Sequence, residues 1–248
     1  MIDLPLIHPS KFSEYPSVMI GCSTKSGGVS PEPYGLNLSF QVGDDGSRVE
    51  ENRRRFFGQL GISLDRLAIP QQCHSKTVRR IYQPGSYEKC DALVTDKRDV
   101  FLTVSVADCI PMFMYAPQKN VIAAVHVGWR GCASGIISET ITLLARELAV
   151  RPEDLVVYLG PSARVCCYEV GEDVANNFPA RFLQRQSDAK FFLDLPGVSK
   201  SQLIENGVRE DRIEENSSCT ICSPDLFHSF RRDGARSGRM MGVIGLVQ

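Results

Sequence analysis

The fold is decided by residues 92–127, which read ALVTDKRDVFLTVSVADCIPMFMYAPQKNVIAAVHV. Four apolar runs follow one another here, at 92–95, 101–106, 112–115 and 121–127, and each has the composition of a strand. Runs without polar alternation are typical of strands that are covered on both faces. We therefore expect a central sheet that lies between other layers.

Weaker patterns on either side of this region predict further helices and strands. Ser47, followed three residues later by Glu50, resembles a capping box and predicts a helix to about Leu60. The other predicted elements are strands at 18–22, 68–70, 77–82, 155–159 and 240–247 and helices at 135–148, 170–186 and 198–208. The helix at 170–186 is expected to break or kink at Asn176, Asn177 and Pro179. No linker, internal repeat or low-complexity tract divides the chain, so we predict one α+β domain over residues 1–248.

The bulk composition excludes several classes of protein. The 248 residues carry 28 Lys plus Arg against 29 Asp plus Glu, so no broad basic surface is available for nucleic acid or an anionic membrane. No apolar stretch approaches the roughly 18 residues of a membrane span, and no secretory leader is recognisable. We expect a cytoplasmic protein, with a monomer favoured.

The chain contains nine cysteines, which is an odd number. Without an export signal they disfavour a disulfide framework, and most are expected to be reduced. Because free cysteine usually behaves as a small buried hydrophobe, each functional assignment needs support beyond residue type.

Three potential metal ligands lie near predicted strand ends. Cys109 closes the run at 101–107, where Pro111 is expected to end the ladder, and His126 precedes a predicted turn at 128–131. Together with His74, they would offer zinc three ligands and leave a fourth position for water or substrate, as in catalytic zinc sites. The separations of 35 and 17 residues are no local zinc-finger spacing, so two core histidines and a buried thiol remain an alternative.

The ordered motifs of the chain resemble those of the YfiH-like family, also called the laccase-domain or multicopper polyphenol oxidase family. The motifs are STKSGGVS (23–30), LNL (36–38), VGDD (42–45), ENR (51–53), QQCHS (71–75), CDALVT (90–95), ADCIP (107–111), AAVHVGWRG (123–131), GPSARVCCYEVGEDV (160–174) and HSFRRDGARSGRM (228–240). The resemblance implies mixed β-sheets in a layered sandwich covered by helices, related to the catalytic fold of cytotoxic necrotizing factor.

The resemblance also implies an activity and a ligand set. The family's zinc ligands map onto His74, Cys109 and His126. Its members cleave purine nucleosides such as adenosine, inosine and methylthioadenosine with phosphate, giving the base and ribose 1-phosphate, and deaminate adenosine. Zinc is the expected cofactor, with copper possible in vitro. Two positions depart from the family pattern, Lys25 in place of arginine and Ser75 in place of the common glycine.

Several further residues are candidates for substrate handling. Arg130 follows His126 in the same turn and is the first candidate for phosphate, before Lys25 and Arg239. Lys25 would hold phosphate as a point charge, without the paired hydrogen bonds of an arginine. Asn37 either fixes a loop or touches substrate. Asp108 either orients a ligand histidine or takes part in proton transfer.

Three other functions remain open from the sequence. Cys109 could be the nucleophile of a cysteine hydrolase, with His126 or His74 as its base. A copper-supported polyphenol oxidase is limited by the presence of only four histidines, because a blue-copper site and a trinuclear cluster need more. Cys219 and Cys222 could form a zinc-binding module, but they lack a second ligand pair unless His228 contributes, and Cys166 and Cys167 are expected to be packing residues.

Overall fold

The structure is a computed structural model that describes residues 4–187 and 189–247. In this part of the chain two six-stranded mixed sheets pack face to face, and helices cover the outer face of each. A third sheet, of three strands, packs on the same core as the second. The expected α+β sandwich of mixed sheets covered by helices is confirmed.

The strands and helices of the described residues are numbered here in chain order. The strands are β1 (Leu6–Ile7), β2 (Val18–Ser23), β3 (Leu67–Pro70), β4 (Val78–Arg80), β5 (Gly85–Tyr87), β6 (Ala92–Thr95), β7 (Phe101–Val106), β8 (Ile110–Ala116), β9 (Val121–Val127), β10 (Val156–Leu159), β11 (Glu169–Gly171), β12 (Leu183–Ser187), β13 (Lys190–Leu193), β14 (Ile213–Glu215) and β15 (Met240–Leu246). The helices are α1 (Gly46–Gln59), α2 (Trp129–Ser134), α3 (Ile136–Leu148), α4 (Glu172–Ala175), α5 (Leu195–Glu205) and α6 (Phe230–Asp233).

The two large sheets have different centres. In the first sheet the order is β1-β2-β15-β7-β3-β5, and β15 pairs antiparallel with both of its neighbours. In the second the order is β14-β10-β8-β9-β6-β4, built around the antiparallel hairpin of β8 and β9. The third sheet has the order β11-β13-β12. The β8–β9 hairpin therefore lies in the middle of the second sheet, with two strands on each side of it.

Side chains of the central hairpin alternate between two cores, as the pleat of a strand requires. Phe113 and Tyr115 point into the core between the large sheets, whereas Met112 and Met114 point into the core under α3 and α5. All four are buried, and full burial of such a side chain is worth about 1.5–3 kcal/mol. The continuously apolar sequence of these strands follows from their burial on both faces.

Two local predictions about helix and strand ends are wrong. The N-cap of α1 is Asp45, whose carboxylate accepts from the N–H groups of Ser47 and Arg48, so Ser47 lies inside the helix. Pro111 does not end a strand but is the second residue of β8, opposite His126. A proline so close to the start of a strand loses little pairing, because the ladder is only beginning there.

Two further predictions, the helix at 170–186 and the turn at 128–131, are also corrected. Residues 170–186 form no continuous helix, since α4 lasts one turn and Leu183–Ser187 is a strand paired with β13. The break falls at Asn176, Asn177 and Pro179, because proline cannot continue a helical hydrogen-bond ladder. The predicted turn at 128–131 instead begins α2.

Among the described residues no helix combines the length and the apolar character that a membrane crossing requires.

Candidate metal centre

The topology brings three distant residues to one end of the second sheet. Cys109 immediately precedes β8, and His126 lies in β9, in the register position opposite Pro111. His74 reaches the same place from the loop that follows β3. The potential ligand atoms of these three side chains all lie within 4.8 Å of one another, and the two imidazole rings are 4.8 Å apart.

The loop that carries His74 is held by a buried carboxylate that the sequence interpretation did not single out. Asp91 lies just before β6 and is fully buried. Its oxygens accept from the N–H groups of His74 at 3.0 Å and Ser75 at 2.7 Å, and from the Ser75 hydroxyl at 2.8 Å. His74 has a φ of 59°, a backbone conformation that a side chain disfavours, so these bonds offset its strain.

The same carboxylate orients the second imidazole. Asp91 Oδ1 lies 2.8 Å from Nδ1 of His126, which is almost completely buried. Because a carboxylate only accepts, Nδ1 carries the proton in the neutral ring, and Nε2 is the atom that would bind a metal in place of a proton. Burial lowers the pKa of His126, but the Cys109 sulfur and Asp91 outweigh burial and raise its pKa to about 9. Burial raises the pKa of Asp91, but hydrogen bonds from His126 and Ser75 hold it well below its usual range.

A glycine leaves space between the ligands. A Cβ atom placed on Gly128 would lie 2.8 Å from His74 Nδ1 and 3.1 Å from Cys109 Sγ. Because real Cβ atoms essentially never lie 2.8 Å from another heavy atom, a side chain at Gly128 would displace His74, and Cys109 would have to move by a few tenths of an ångström. This position therefore requires glycine through close approach, as the backbone passes directly beside the ligand atoms.

The donor set fits a borderline-soft metal ion. One thiolate and two imidazoles are ligands that zinc accepts in catalytic sites, with one position left for water or substrate. The buried carboxylate on His126 is the usual partner of a metal-bound imidazole. The fold and this cluster therefore define an α+β protein with three residues at a sheet end that could hold a metal ion.

Asp108 occupies a different position from the one expected of a partner for a ligand histidine. Its carboxylate accepts from the Thr220 hydroxyl and from the N–H of Arg231, both at 2.7 Å. Asp108 has a φ of 86° and immediately precedes Cys109. Its hydrogen bonds thus stabilise a strained turn beside the cysteine, while the histidine partner is Asp91.

The three candidate cations have different surroundings. Arg130 is exposed, lies over the Trp129 ring at 4.3 Å, and its charge contributes to lowering the pKa of His74, after burial and the charge of His126. Arg239 is half-buried; burial lowers its pKa, and the charges of Asp108 and Cys109 oppose this effect, so it lies on the cysteine side. Lys25 makes an ion pair of 3.5 Å with Glu32.

The side chain of Asn37 uses its hydrogen-bonding groups within the protein. Its amide donates to the Ser39 carbonyl and to Asp44, both at 3.0 Å, and its oxygen accepts from the N–H groups of Ser39 and Arg239. It is fully buried, so the contacts favour the loop-fixing role for Asn37. The neighbouring Asn52 of α1 donates to the Asn37 carbonyl at 3.0 Å and holds the same loop against the helix.

Tyr168 is a further residue near the centre that sequence interpretation missed. Its hydroxyl is buried, which raises its pKa to about 12, and the Cys109 sulfur adds to the increase. The Arg231 guanidinium lies over the ring, 4.9 Å from its centroid. The motif at 160–174 contained this residue, but nothing in its local pattern separates a site tyrosine from a core tyrosine.

A second cluster corrects the expectation for the other cysteines. Cys166 and Cys167 are not isolated packing residues, because their sulfurs meet those of Cys219 and Cys222, all four within 4.8 Å of one another. His228 does not belong to this group; it is buried, and its Nε2 has no hydrogen-bond partner among the described residues. The CxxC motif and the adjacent cysteine pair thus form one cluster of four sulfurs.

Comparison with known proteins identifies the family. Residues 19–247 match the family model described as multi-copper polyphenol oxidoreductase laccase. The chain belongs to this family. Its curated relatives carry enzyme names, and it is an enzyme of the same family.

Three curated relatives illustrate the names found in the family. A protein of Geobacillus stearothermophilus named purine nucleoside phosphorylase YlmD is 32% identical over 93% of this chain and 91% of its own. A purine nucleoside phosphorylase of Deinococcus radiodurans is 38% identical over 90% and 87%. A protein from an unknown prokaryotic organism, named adenosine deaminase RL5, is 33% identical over 83% and 84%.

Solved structures share the whole architecture. The crystal structure of the Bacillus licheniformis hypothetical protein YfiH has a TM-score of 0.93 at 28% identity, over 98% of this chain and 97% of that one. YlmD from Geobacillus stearothermophilus has a TM-score of 0.91 at 31% identity, over 94% and 93%. The resemblance to the YfiH-like family expected from the motifs is confirmed.

Proposed function

We propose that the chain is a zinc-dependent purine nucleoside phosphorylase that converts adenosine, inosine and related nucleosides to the base and ribose 1-phosphate. The observation that carries the proposal is the convergence of His74, Cys109 and His126 around one point, with Asp91 fixing two of them. The names of the relatives support the substrate class.

His74, Cys109 and His126 would hold the ion. Zinc bound there would supply a Lewis acid that polarises an oxygen of phosphate or water. Asp91 keeps the proton on Nδ1 of His126 and so leaves Nε2 as the ligand atom. The apolar cores on both faces of the second sheet keep these groups in place.

Phosphate binding is assigned to cations that flank the ligands. Arg239 on the cysteine side and Arg130 on the side of His74 present guanidinium groups, which bind phosphate oxygens through paired hydrogen bonds. Lys25 adds positive charge near His228, where it contributes a point charge. Asp108 is assigned a positioning role, because both of its oxygens are engaged beside Cys109.

Deamination of adenosine to inosine is the second activity proposed for this centre, since one relative is named an adenosine deaminase. The two reactions give different products from one substrate. Phosphorolysis yields adenine and requires phosphate, whereas deamination yields inosine and requires only water. One substrate therefore separates the two proposals.

The experiment is a product analysis of adenosine incubated with zinc-loaded protein, with and without phosphate. Adenine that forms only with phosphate supports phosphorolysis, and inosine supports deamination. Cys109→Ala should abolish both products, while Cys22→Ala, which removes a thiol buried between the large sheets, is the matched control. Formation of neither product, or full activity of Cys109→Ala, would refute the proposal.

A cysteine hydrolase remains the rival function, favoured by the contact of Cys109 with His126, whose pKa that sulfur helps to raise. A protein that is active without metal and is inactivated by alkylation of Cys109 would establish the rival. Copper-supported phenol oxidation is tested by loading copper in place of zinc and measuring oxidation of a phenol. We expect at most a minor rate, since the chain has four histidines.

A further inference from the structure

The cluster of Cys166, Cys167, Cys219 and Cys222 shares no residue with the group of His74, Cys109 and His126, and all four of its potential donor atoms are sulfurs. Cys167 Sγ lies 3.0 Å from Cys222 Sγ, and Cys166 Sγ lies 3.5 Å from the same atom. The four sulfurs share one small volume at the surface, where Cys219 is buried and Cys166 and Cys222 are exposed. Four thiols in such proximity are the donor set of a tetrahedral metal site.

We propose that these four cysteines bind a second metal ion, a structural Zn²⁺ with tetrathiolate coordination. A Zn–S bond of about 2.3 Å places tetrahedral sulfurs about 3.8 Å apart, within the 4.8 Å that encloses the four sulfurs. The two shorter S–S distances at Cys222, 3.0 and 3.5 Å, would lengthen by less than about 1 Å as its sulfur turns onto the ion. A multinuclear iron–sulfur cluster would hold its cysteines farther apart, because the metal core separates them. The spacing therefore fits a single ion.

The backbone on both sides of Cys219 is fixed by hydrogen bonds. The Ser223 N–H donates to the Cys219 carbonyl at 3.2 Å and closes the CxxC turn, and the Thr220 N–H donates to the Ser162 carbonyl at 3.0 Å. Residues 162 and 219 form an isolated β-bridge, so the turn is joined to the segment that leads to Cys166 and Cys167.

Charged side chains hold the two halves of the cluster together. Arg232 donates to the carbonyls of Thr220 and Ile221, at 2.8 and 3.2 Å, and so fixes the CxxC turn from behind. Arg164 is bonded to Glu215 and to the carbonyl of Asn216, which lies three residues before Cys219. The site is thus preorganised by contacts that do not use the sulfurs.

The proposed ion would also support the active-site side of the fold. Thr220 lies inside the CxxC turn, and its hydroxyl donates to Asp108 at 2.7 Å, next to Cys109. Tyr168 directly follows Cys167 and lies near Cys109. A metal that joins the two cysteine pairs would fix the positions of Thr220 and Tyr168 relative to Cys109.

The test is a zinc measurement on protein purified under reducing conditions, in variants that separate the two sites. His74→Ala/Cys109→Ala should retain about one equivalent of zinc per chain, and Cys219→Ser/Cys222→Ser should lose that equivalent. If the cysteine variant keeps all the zinc and the His74→Ala/Cys109→Ala variant loses it, the second site is refuted while the proposed function stands. If His74→Ala/Cys109→Ala loses no zinc, the proposed zinc centre fails and the second site stands.

A spectroscopic readout identifies the ligands. Cobalt added to His74→Ala/Cys109→Ala should give the intense thiolate-to-metal bands of tetrahedral tetrathiolate coordination. These bands should disappear in the same protein with Cys222→Ser and be shifted but retained with Cys222→His, which preserves a ligand. Octahedral cobalt spectra in the parent variant would overturn the proposal.

Milder changes guard against a variant that fails to fold. Cys166→Ser, at an exposed position, should lower the melting temperature by at least about 5 °C, and chelator should lower that of the parent similarly. Ser217→Ala, an exposed neighbour of the turn, should leave zinc content and melting temperature unchanged. A disulfide between Cys167 and Cys222, detected by mass spectrometry in protein kept under reducing conditions, would contradict the metal site.

Discussion

Replacing Asp91 by asparagine tests the role of the buried carboxylate most directly. The change preserves shape but converts one acceptor oxygen into a donor and removes the negative charge. One oxygen of Asp91 accepts from His74 N–H and His126 Nδ1, and the other accepts from the N–H groups of Cys73 and Ser75 and from the Ser75 hydroxyl. Whichever side the new NH2 group faces, it meets donors that lose their acceptor.

The expected magnitude follows from these contacts. If the amide oxygen stays on the Ser75 side, His74 N–H is left unpaired and His126 must move its proton to Nε2, the atom that would bind the metal. Loss of such a partner typically costs 10- to 100-fold in metal affinity, or about 1.4–2.8 kcal/mol. Two charge-assisted hydrogen bonds of about 1.5–3 kcal/mol each are also weakened, so we expect the unfolding free energy to fall by about 3 kcal/mol.

Two assays measure these effects separately. Competition with a chromogenic chelator gives the zinc affinity, and urea unfolding of the metal-free protein gives the free energy of unfolding. Asp99→Asn is the matched control, because Asp99 forms an exposed ion pair with Arg66 that is worth at most about 1 kcal/mol. An Asp91→Asn protein that binds zinc within about threefold of the parent, and unfolds with it, would refute this reasoning.

Three further changes have distinct readouts. Gly128→Ala should weaken zinc binding at least about tenfold, because its methyl group would lie 2.8 and 3.1 Å from atoms of two candidate ligands. Gly46→Ala, where a Cβ atom would have no atom within 4 Å, should leave the zinc affinity unchanged. Equal zinc affinities of the two variants would contradict the close approach at Gly128. Burial and nearby cations lower the pKa of His228 to about 4, so the unfolded state binds the extra proton between about pH 6.5 and 4. The unfolding free energy should therefore fall by about 3 kcal/mol as pH decreases through that window, and His228→Asn, compared in parallel urea titrations, should remove this part of the slope. Arg239→Ala should raise the KM for phosphate at least about tenfold without changing the nucleoside KM, and Arg54→Ala on the exposed face of α1 should change neither.

The central strands could be predicted because their signals are local. Apolar runs gave β6 to β9 within a few residues, since burial on both faces leaves a continuous pattern in the sequence. The three candidate ligands were assigned from the resemblance of the motifs that surround them, because their spacing alone is no local signature. Their convergence depends on the register of β8 and β9, which no single stretch of sequence encodes.

Asp91 and the four-cysteine cluster show what remained hidden. Asp91 was detectable in one respect, as an acidic residue that directly precedes a mainly apolar strand and must find partners if it is buried. Its partners, however, lie 16 to 35 positions away along the chain. Cys166 and Cys219 are likewise separated by a whole sheet and two helices, so only the folded chain brings the pairs together.

The arrangement of cations also bears on the lysine at position 25. Lys25 and Arg239 both lie close enough to His228 to lower its pKa, after the larger effect of burial, and Arg239 in turn interacts with the charge of Cys109. A neutral His228 between the two cations avoids a third positive charge in a buried position. Nη1 of Arg239 already donates to the carbonyls of Ser237 and Gly238 at 2.8 and 2.9 Å, which fixes the direction of its guanidinium. In the proposed reaction Arg239 would therefore bind phosphate through this oriented guanidinium, while Lys25 would contribute charge alone. Phosphate binding in the proposed reaction should therefore depend more on Arg239 than on Lys25.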